Sequence, residues 1–209
     1  MYLPPQFKAT DPQHALTLMR AHPLASLVST DDDGFPCVSH LPLHLQERAD
    51  GLVLLGHCAR ANPQGRYLQQ RAQALVTFMG PHAYLSPSVY PDLARVPSWN
   101  YLAVHCKVEA TLLAESADKD ALLKSLIGDH EPAYANQWRA LGEDYARKML
   151  AGIVAFELRV TDLQCAIKLN QHRKESHAAL YQAYRQGGPD AQALAQWMQT
   201  LGMVPAQEA

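Results

Sequence analysis

The chain has 209 residues, 48% of them hydrophobic and 18% charged, with a formal net charge of −2. That length suits one domain with a sizeable core, or one domain with a helical appendage, and the composition excludes a disordered chain. A charge so close to zero excludes a global pull toward nucleic acid or anionic membrane, so any DNA contact needs a local basic patch.

Cys37, Cys58, Cys106 and Cys165 are scattered, with no Cys-x-x-Cys pair, which points to a reduced, cytoplasmic protein. The start, MYLPPQFKATD, lacks the basic and apolar pattern of a signal peptide, and no window reaches the length of a membrane span. A cytoplasmic location without membrane association is therefore expected.

In chain order, Asp11-Pro12 opens a helix to about Arg20, with Asp11 as cap and Ala15, Leu18 and Met19 on one face. LASLVST reads as a strand, DDDG as a turn closed by Gly34, and FPCVSHLPLHL as one alternating strand. Pro36 and Pro42 cannot donate to a ladder, so that strand is expected at an edge or a bulge. GLVLLG, ending at Gly56, and ALVTFMG are short apolar runs suited to buried strands. A further strand spans Asn100 to Leu112. Helices follow after a capping Ser116, the first ending at Gly128, then at about Glu131–Leu141 and Asp144–Leu150. GIVAFELRV and DLQCAIKL read as two strands, and helices at about Lys174–Gln186 and Asp190–Leu201 make a tail. Six or seven strands with inserted helices point to a mainly β, α+β architecture built as a β-barrel with peripheral helices. The expected organisation is a barrel domain over 1–170, carrying inserted helices at 117–150, and a helical tail over 171–209.

Three segments exceed structural need. In GHCARANPQGRYL, His57, Arg60 and Asn62 precede a helix start at Pro63, with Arg66 one turn in. Free N–H groups, the helix dipole and two potential cations suit an anion, with phosphate the natural candidate. The alternative is that Asn62 only caps the helix while Arg60 faces solvent. GPHAYLSPSVYPDLARVPSWNY reads as a loop of about twenty residues, a length more often functional than not. Tyr84, Tyr90, Trp99 and Tyr101 offer flat surface for a planar ring or a dimer interface; Ser86, Ser98 and Asn100 offer neutral hydrogen-bonding groups. In KLNQHRK, Lys168, Gln171 and Arg173 follow a strand as a site rim or a solvated strand end.

These blocks, together with MYLPPQF, DGFPCVSHLPL, VPSWNY followed by AVH, and His130-Glu131, resemble the PaiB-type FMN-binding negative transcriptional regulators of bacteria. The resemblance runs from Met1 to about Arg173. It implies a split β-barrel like that of pyridoxamine-phosphate-oxidase-type flavoproteins, assembled as a homodimer with FMN between subunits. By similarity Ser39, His40 and Leu41 lie near the flavin ring; His57, Arg60 and Asn62 hold the phosphate; Trp99 and Asn100 meet the ring or the partner subunit. Ser86, Lys168 and Gln171 complete the expected cofactor set. The chain departs from the family pattern at Val89, where a Trp is usual, at Gly65, where another aromatic is usual, and at Asn170-Gln171-His172, where Ser-Gln-Asn is usual.

Rival readings are weaker. His40 and His44 on one strand face would be about 13 Å apart, too far to share a metal. Nothing selects one of the ten His as a haem ligand, which leaves haem a remote alternative to FMN. The helix pair around Gly128 could imitate a helix-turn-helix, but EPAYANQWRAL balances one Arg with one Glu, poor for phosphate contact. No nucleophile–base pair is identifiable, so catalytic residues stay unassigned. The alternative function is an FMN-dependent oxidoreductase acting on an unknown small molecule, the flavin carrying the redox chemistry.

Overall fold

The computed structural model describes residues 1–92 and 94–205. Leu93 of the aromatic-rich segment and residues 206–209 of the expected tail lie outside them.

Helix α1 (Pro12–Ala21) starts where Asp11 Oδ1 accepts the N–H of Gln13 at 2.8 Å, the expected cap, and buries Ala15, Leu18 and Met19. Strand β1 (Leu24–Thr30) ends in a turn in which Gly34 adopts φ +84°, and Asp31 Oδ1 accepts from the N–H groups of Asp33 and Phe35. The expected single strand FPCVSHLPLHL is instead two, β2 (Pro36–Pro42) and β3 (His44–Arg48). Between them Leu43 turns inward, nearly fully buried, and donates its N–H to Pro23 O at 3.0 Å. Burying a leucine outweighs continuing a ladder whose flanking Pro42 cannot donate.

Strand β4 (Gly51–Ala59) runs three residues beyond the expected stop at Gly56, which puts His57 and Cys58 in the ladder. Helix α2 (Gln64–Gln70) is only seven residues long. Strands β5 (Gln73–Leu85) and β6 (Ser98–Leu113) absorb both ends of the expected long loop, so Tyr84, Trp99 and Tyr101 stand on strands. Gly80 and Pro81, which begin the expected loop, lie within β5. Gly80 is there for close packing: a Cβ would lie 2.4 Å from Leu18 Cδ1 and 3.2 Å from Leu102 O.

Helix α3 (Ser116–His130) has no side-chain cap from Ser116, which is already its first residue, and it passes through Gly128. It stops where Pro132 forces Glu131 out of the helical region, to φ −148°. Short helices α4 (Ala135–Ala140) and α5 (Glu143–Ala151) follow. The two strands expected next are one, β7 (Ile153–Lys168), because no Gly or Pro interrupts them. Helices α6 (His177–Arg185) and α7 (Pro189–Thr200) match the tail helices expected. Among the described residues no helix is long and apolar enough to cross a membrane.

The seven strands form one sheet in the order β2-β1-β5-β6-β7-β4-β3, with antiparallel neighbours and two open edges, so the barrel is split rather than closed. The strand with two prolines, β2, is an edge, as its missing donors require. The described residues fall into two compact units. In the larger (Met19–Phe78 and His105–Leu163), α3 lays Leu122 and Leu126 on Val53, Leu55 and Ala155 of the sheet, with Leu113 and Leu123 at the margin. Each such leucine contributes about 1.5–3 kcal/mol by leaving water. In the smaller (Met1–Leu18, Met79–Val104 and the chain from Gln164), α6 and α7 bury Leu180, Tyr184, Leu194 and Met198.

Candidate functional site

In the larger unit, the residues expected around a flavin are partly consumed by the fold. Gln64, fully buried, donates through Nε2 to Ser29 Oγ (2.9 Å), while its Oε1 accepts from Ser39 Oγ (3.2 Å). Asn62 Nδ2 donates to the same Ser39 Oγ (3.1 Å), and Asn62 Oδ1 accepts the N–H of Gln64 (3.0 Å). Ser39 and Asn62 are thus tied into a buried network that staples β2 to the start of α2 and to β1. Gln64 was not singled out in sequence, since a glutamine after proline carries no periodic signal. His40 is exposed and shares a hydrogen bond with Ser26 (3.0 Å); Leu41 is half-buried beside it.

The start of α2 offers little to an anion. The N–H of Gln64 is used by Asn62, and that of Gly65 reaches the Cys58 thiol, itself pushed up in pKa by burial. Two helical turns also sum to a small dipole. His57 is mostly buried, its Nδ1 has no partner, and burial lowers its pKa below the ordinary 6.5. A neutral imidazole can donate one hydrogen bond but brings no charge.

The positive charge gathers next to this, in a cavity of ≈ 450 Å³. Arg60, Arg66 and Lys119 line it, over an apolar floor that includes Leu112, Ile153 and Val154. Arg60 is held by its own Nε, which donates to Ala151 O at the end of α5 (2.5 Å), leaving its terminal nitrogens for other partners. Arg66 pairs with Asp32 (2.6 Å) and leans on the Tyr67 ring (4.9 Å), whereas Lys119 forms no ion pair with any of the described residues. Gly65 forms part of the wall: a Cβ there would sit 2.9 Å from Val154 Cγ1. A larger residue would collide with Val154, so this glycine lets the start of α2 pack closely on β7 beside the cavity. Lys119 had no distinguishing sequence signal, lying on a helix face fifty residues from the motif.

In the smaller unit, Trp99 packs edge-on against Tyr84 (6.1 Å between rings) and beside His82 (6.2 Å), with Trp99 and Tyr84 about half exposed. Ser86 spends its hydroxyl on its own turn, bonding Ser88 N and Oγ. Gln171 likewise folds back, accepting from Leu169 N and donating to Ile167 O. Asn100 is buried and donates through Nδ2 to Tyr184 OH (2.9 Å), which donates in turn to Tyr84 O (3.5 Å). Burial pushes the Tyr184 phenol up to about 12, so it remains a donor at every ordinary pH. Lys168 Nζ donates to Ser98 Oγ (2.8 Å) and lies 5.7 Å from the centre of the Tyr101 ring. Among the described residues no cluster of three His, Cys, Asp or Glu is arranged to hold a metal.

The profile of the family described as "Putative FMN-binding domain" matches residues 1–162. The chain belongs to this FMN-binding family. Within it, the chain is 34% identical over 206 residues to the protease synthase and sporulation protein PAI 2 of Bacillus subtilis, covering 95% of this chain and 97% of that one, in keeping with the PaiB-type resemblance. The family fold is also that of the flavocytochrome Anf3 from Azotobacter vinelandii (TM-score 0.59, 15% identity, 78% of this chain and 69% of that one). A FAD- and heme-binding protein from Mycobacterium smegmatis shares it too (TM-score 0.57, 21% identity, 77% of this chain and 73% of that one). At these identities the likeness concerns the fold.

Proposed function

We propose that this protein binds FMN, with the phosphate held by Arg60, Arg66 and Lys119 in the cavity walled by Gly65. The observation that carries the proposal is the cradle itself: three cations gathered over an apolar floor. Guanidinium and ammonium donors suit a phosphate dianion, and the apolar floor suits the uncharged part of a ligand. Bound FMN would supply redox chemistry of its own, while the chain supplies position and charge. In this reading His57 contributes at most a neutral donor, and Ser39, His40, Leu41 and Asn62 shape the neighbouring wall. The visible spectrum of the purified protein and a titration with FMN test it. A yellow protein, or uptake of FMN with an affinity that riboflavin does not match, is expected; a colourless protein that takes up no FMN would sink the proposal.

The cellular role we infer is that of a cytoplasmic, homodimeric negative transcriptional regulator of the PaiB type. Its support is the match to PAI 2 over nearly the whole of both chains, together with that relative's name. One observation favours the second reading, a flavin-dependent oxidoreductase. The second helix of the pair that could imitate a helix-turn-helix, already a poor reader of DNA by its charge, is reduced to the six residues ANQWRA, with Arg139 as its only cation, which gives phosphate contacts little to work with. Reduction of bound flavin by NAD(P)H would favour the enzyme. Salt-sensitive retention of specific DNA would favour the regulator.

A further inference from the structure

The smaller unit contains a second cavity, of ≈ 280 Å³, lined among others by Arg95, Asn100, Lys168 and Arg173. It is too small for a whole mononucleotide, since sites for drug-sized ligands start at about 300 Å³. Its wall is built rather than incidental. Asn100 is 1% exposed, and its Oδ1 has no partner. The orientation of that amide is fixed, because Nδ2 feeds the chain through Tyr184 OH to Tyr84 O; the orphan atom is therefore an acceptor. Arg95 Nε is also buried without a partner, a donor awaiting an acceptor. Each group lost its water on burial and gained no partner in return, a deficit that a ligand with complementary groups makes good.

The charges narrow the ligand further. Arg95 is neutralised by Asp92 (2.8 Å) and Glu175 (3.7 Å). Among the described residues Lys168 meets the Ser98 hydroxyl and the Tyr101 ring and no carboxylate, and burial lowers its pKa. An anion would relieve that penalty. Asn170 at the rim adopts the left-handed φ of +63° and is pinned there by Tyr90 OH on its Oδ1 (3.1 Å) and by its own Nδ2 on Ser176 Oγ (2.8 Å). Asparagine adopts that conformation readily, and the two bonds fix its side chain at the rim.

We propose that this cavity binds a short carboxylate carrying a hydrogen-bond donor on the adjacent carbon, an α-hydroxy or α-amino acid. The carboxylate meets Lys168 and the Arg95 Nε–H, and the hydroxyl or ammonium donates to Asn100 Oδ1. This goes beyond the flavin reading and does not depend on it.

Calorimetric titration of the full-length protein with L-lactate, L-alanine, acetate and inorganic phosphate tests the proposal. Lactate or alanine should bind at millimolar concentration or better, whichever of the two binds identifying the donor, and acetate at least tenfold more weakly. Lys168→Met should weaken the better ligand at least tenfold, and Asn100→Leu should erase its advantage over acetate. If Asn100→Leu fails to fold by circular dichroism, Lys168→Met decides. No binding of any acid, equal binding of acetate and lactate, preference for phosphate, or indifference to Lys168→Met would each overturn the site. FMN titrated into Lys168→Met separates the two readings. Unchanged FMN affinity supports separate sites, whereas a loss matching that of lactate would put Lys168 on the flavin and overturn the second cavity.

Discussion

Arg60 and Asn62 stand two residues apart, yet they serve different ends. Asn62 closes the turn into α2 and joins the buried Ser39–Gln64 network, while Arg60 anchors by one nitrogen and presents the others to a cavity. Sequence spacing made both visible as polar excess and could not separate them, because the separation depends on which backbone groups they meet. Charge-assisted bonds contribute about 1.5–3 kcal/mol. Arg60→Ala should therefore weaken FMN by roughly tenfold or more and riboflavin little; equal weakening of both would remove the phosphate role. Gly65→Ala should lower stability, and FMN affinity with it, by pressing a methyl onto Val154, and adding Val154→Ala should restore part of both. His57 gives a prediction of opposite character. Its lowered pKa means that the unfolded chain binds a proton near pH 6.5 while the folded chain still resists it. Stability then rises with pH across that window, and is lost as pH falls from 6.5 toward the folded value. His105 and His172 are shifted the same way. Thermal unfolding between pH 7.5 and 5 should show Tm falling on acidification, with a shallower fall in His57→Gln.

At the scale of elements, most spans were legible because alternation and helical periodicity survive in the sequence: LASLVST is β1 to the residue, and α6 and α7 fall near their expected places. Gly128 does not stop its helix, which runs on to the local block at Pro132. The other failures share a cause: the loop start at Gly80 and the single strand through Leu43 follow local propensity in the sequence, and tertiary packing decides both. The β2–β3 break shows this best. Leu43 turns in against β4 at Gly56, where an added Cβ would lie 2.4 Å from Leu43 Cδ2 and 3.0 Å from Phe156 Cε2. Leu43→Ala should cost about 2–5 kcal/mol through the cavity it leaves. Gly56→Ala should cost about 1–3 kcal/mol through overpacking. Because both act on one contact, the double variant should be less destabilised than the sum of the singles. Strict additivity in urea unfolding would show that Leu43 and Gly56 do not constrain each other.

For the whole molecule, family membership and the split, mainly β architecture were legible from motifs alone, whereas the distribution of charge was not. The chain is nearly neutral, but its cations are concentrated at particular walls, and Lys119 reaches one only through the packing of α3. The exposed aromatics pose the remaining question at this scale. Trp99 and Tyr84 are half exposed and in contact with each other, an aromatic surface open to a partner. Tryptophan and tyrosine are favoured anchors of interfaces, and a standard interface buries about 800 Å² per partner. The proposed homodimer would use this patch. Light scattering behind size-exclusion chromatography should give twice the mass of the 23.1 kDa chain, and Tm should rise with protein concentration, as coupling of folding to association requires. Trp99→Glu should yield a folded monomer whose Tm no longer depends on concentration. A wild-type protein that runs as a monomer at every concentration, or a Trp99→Glu variant that remains dimeric, would remove this patch from the assembly.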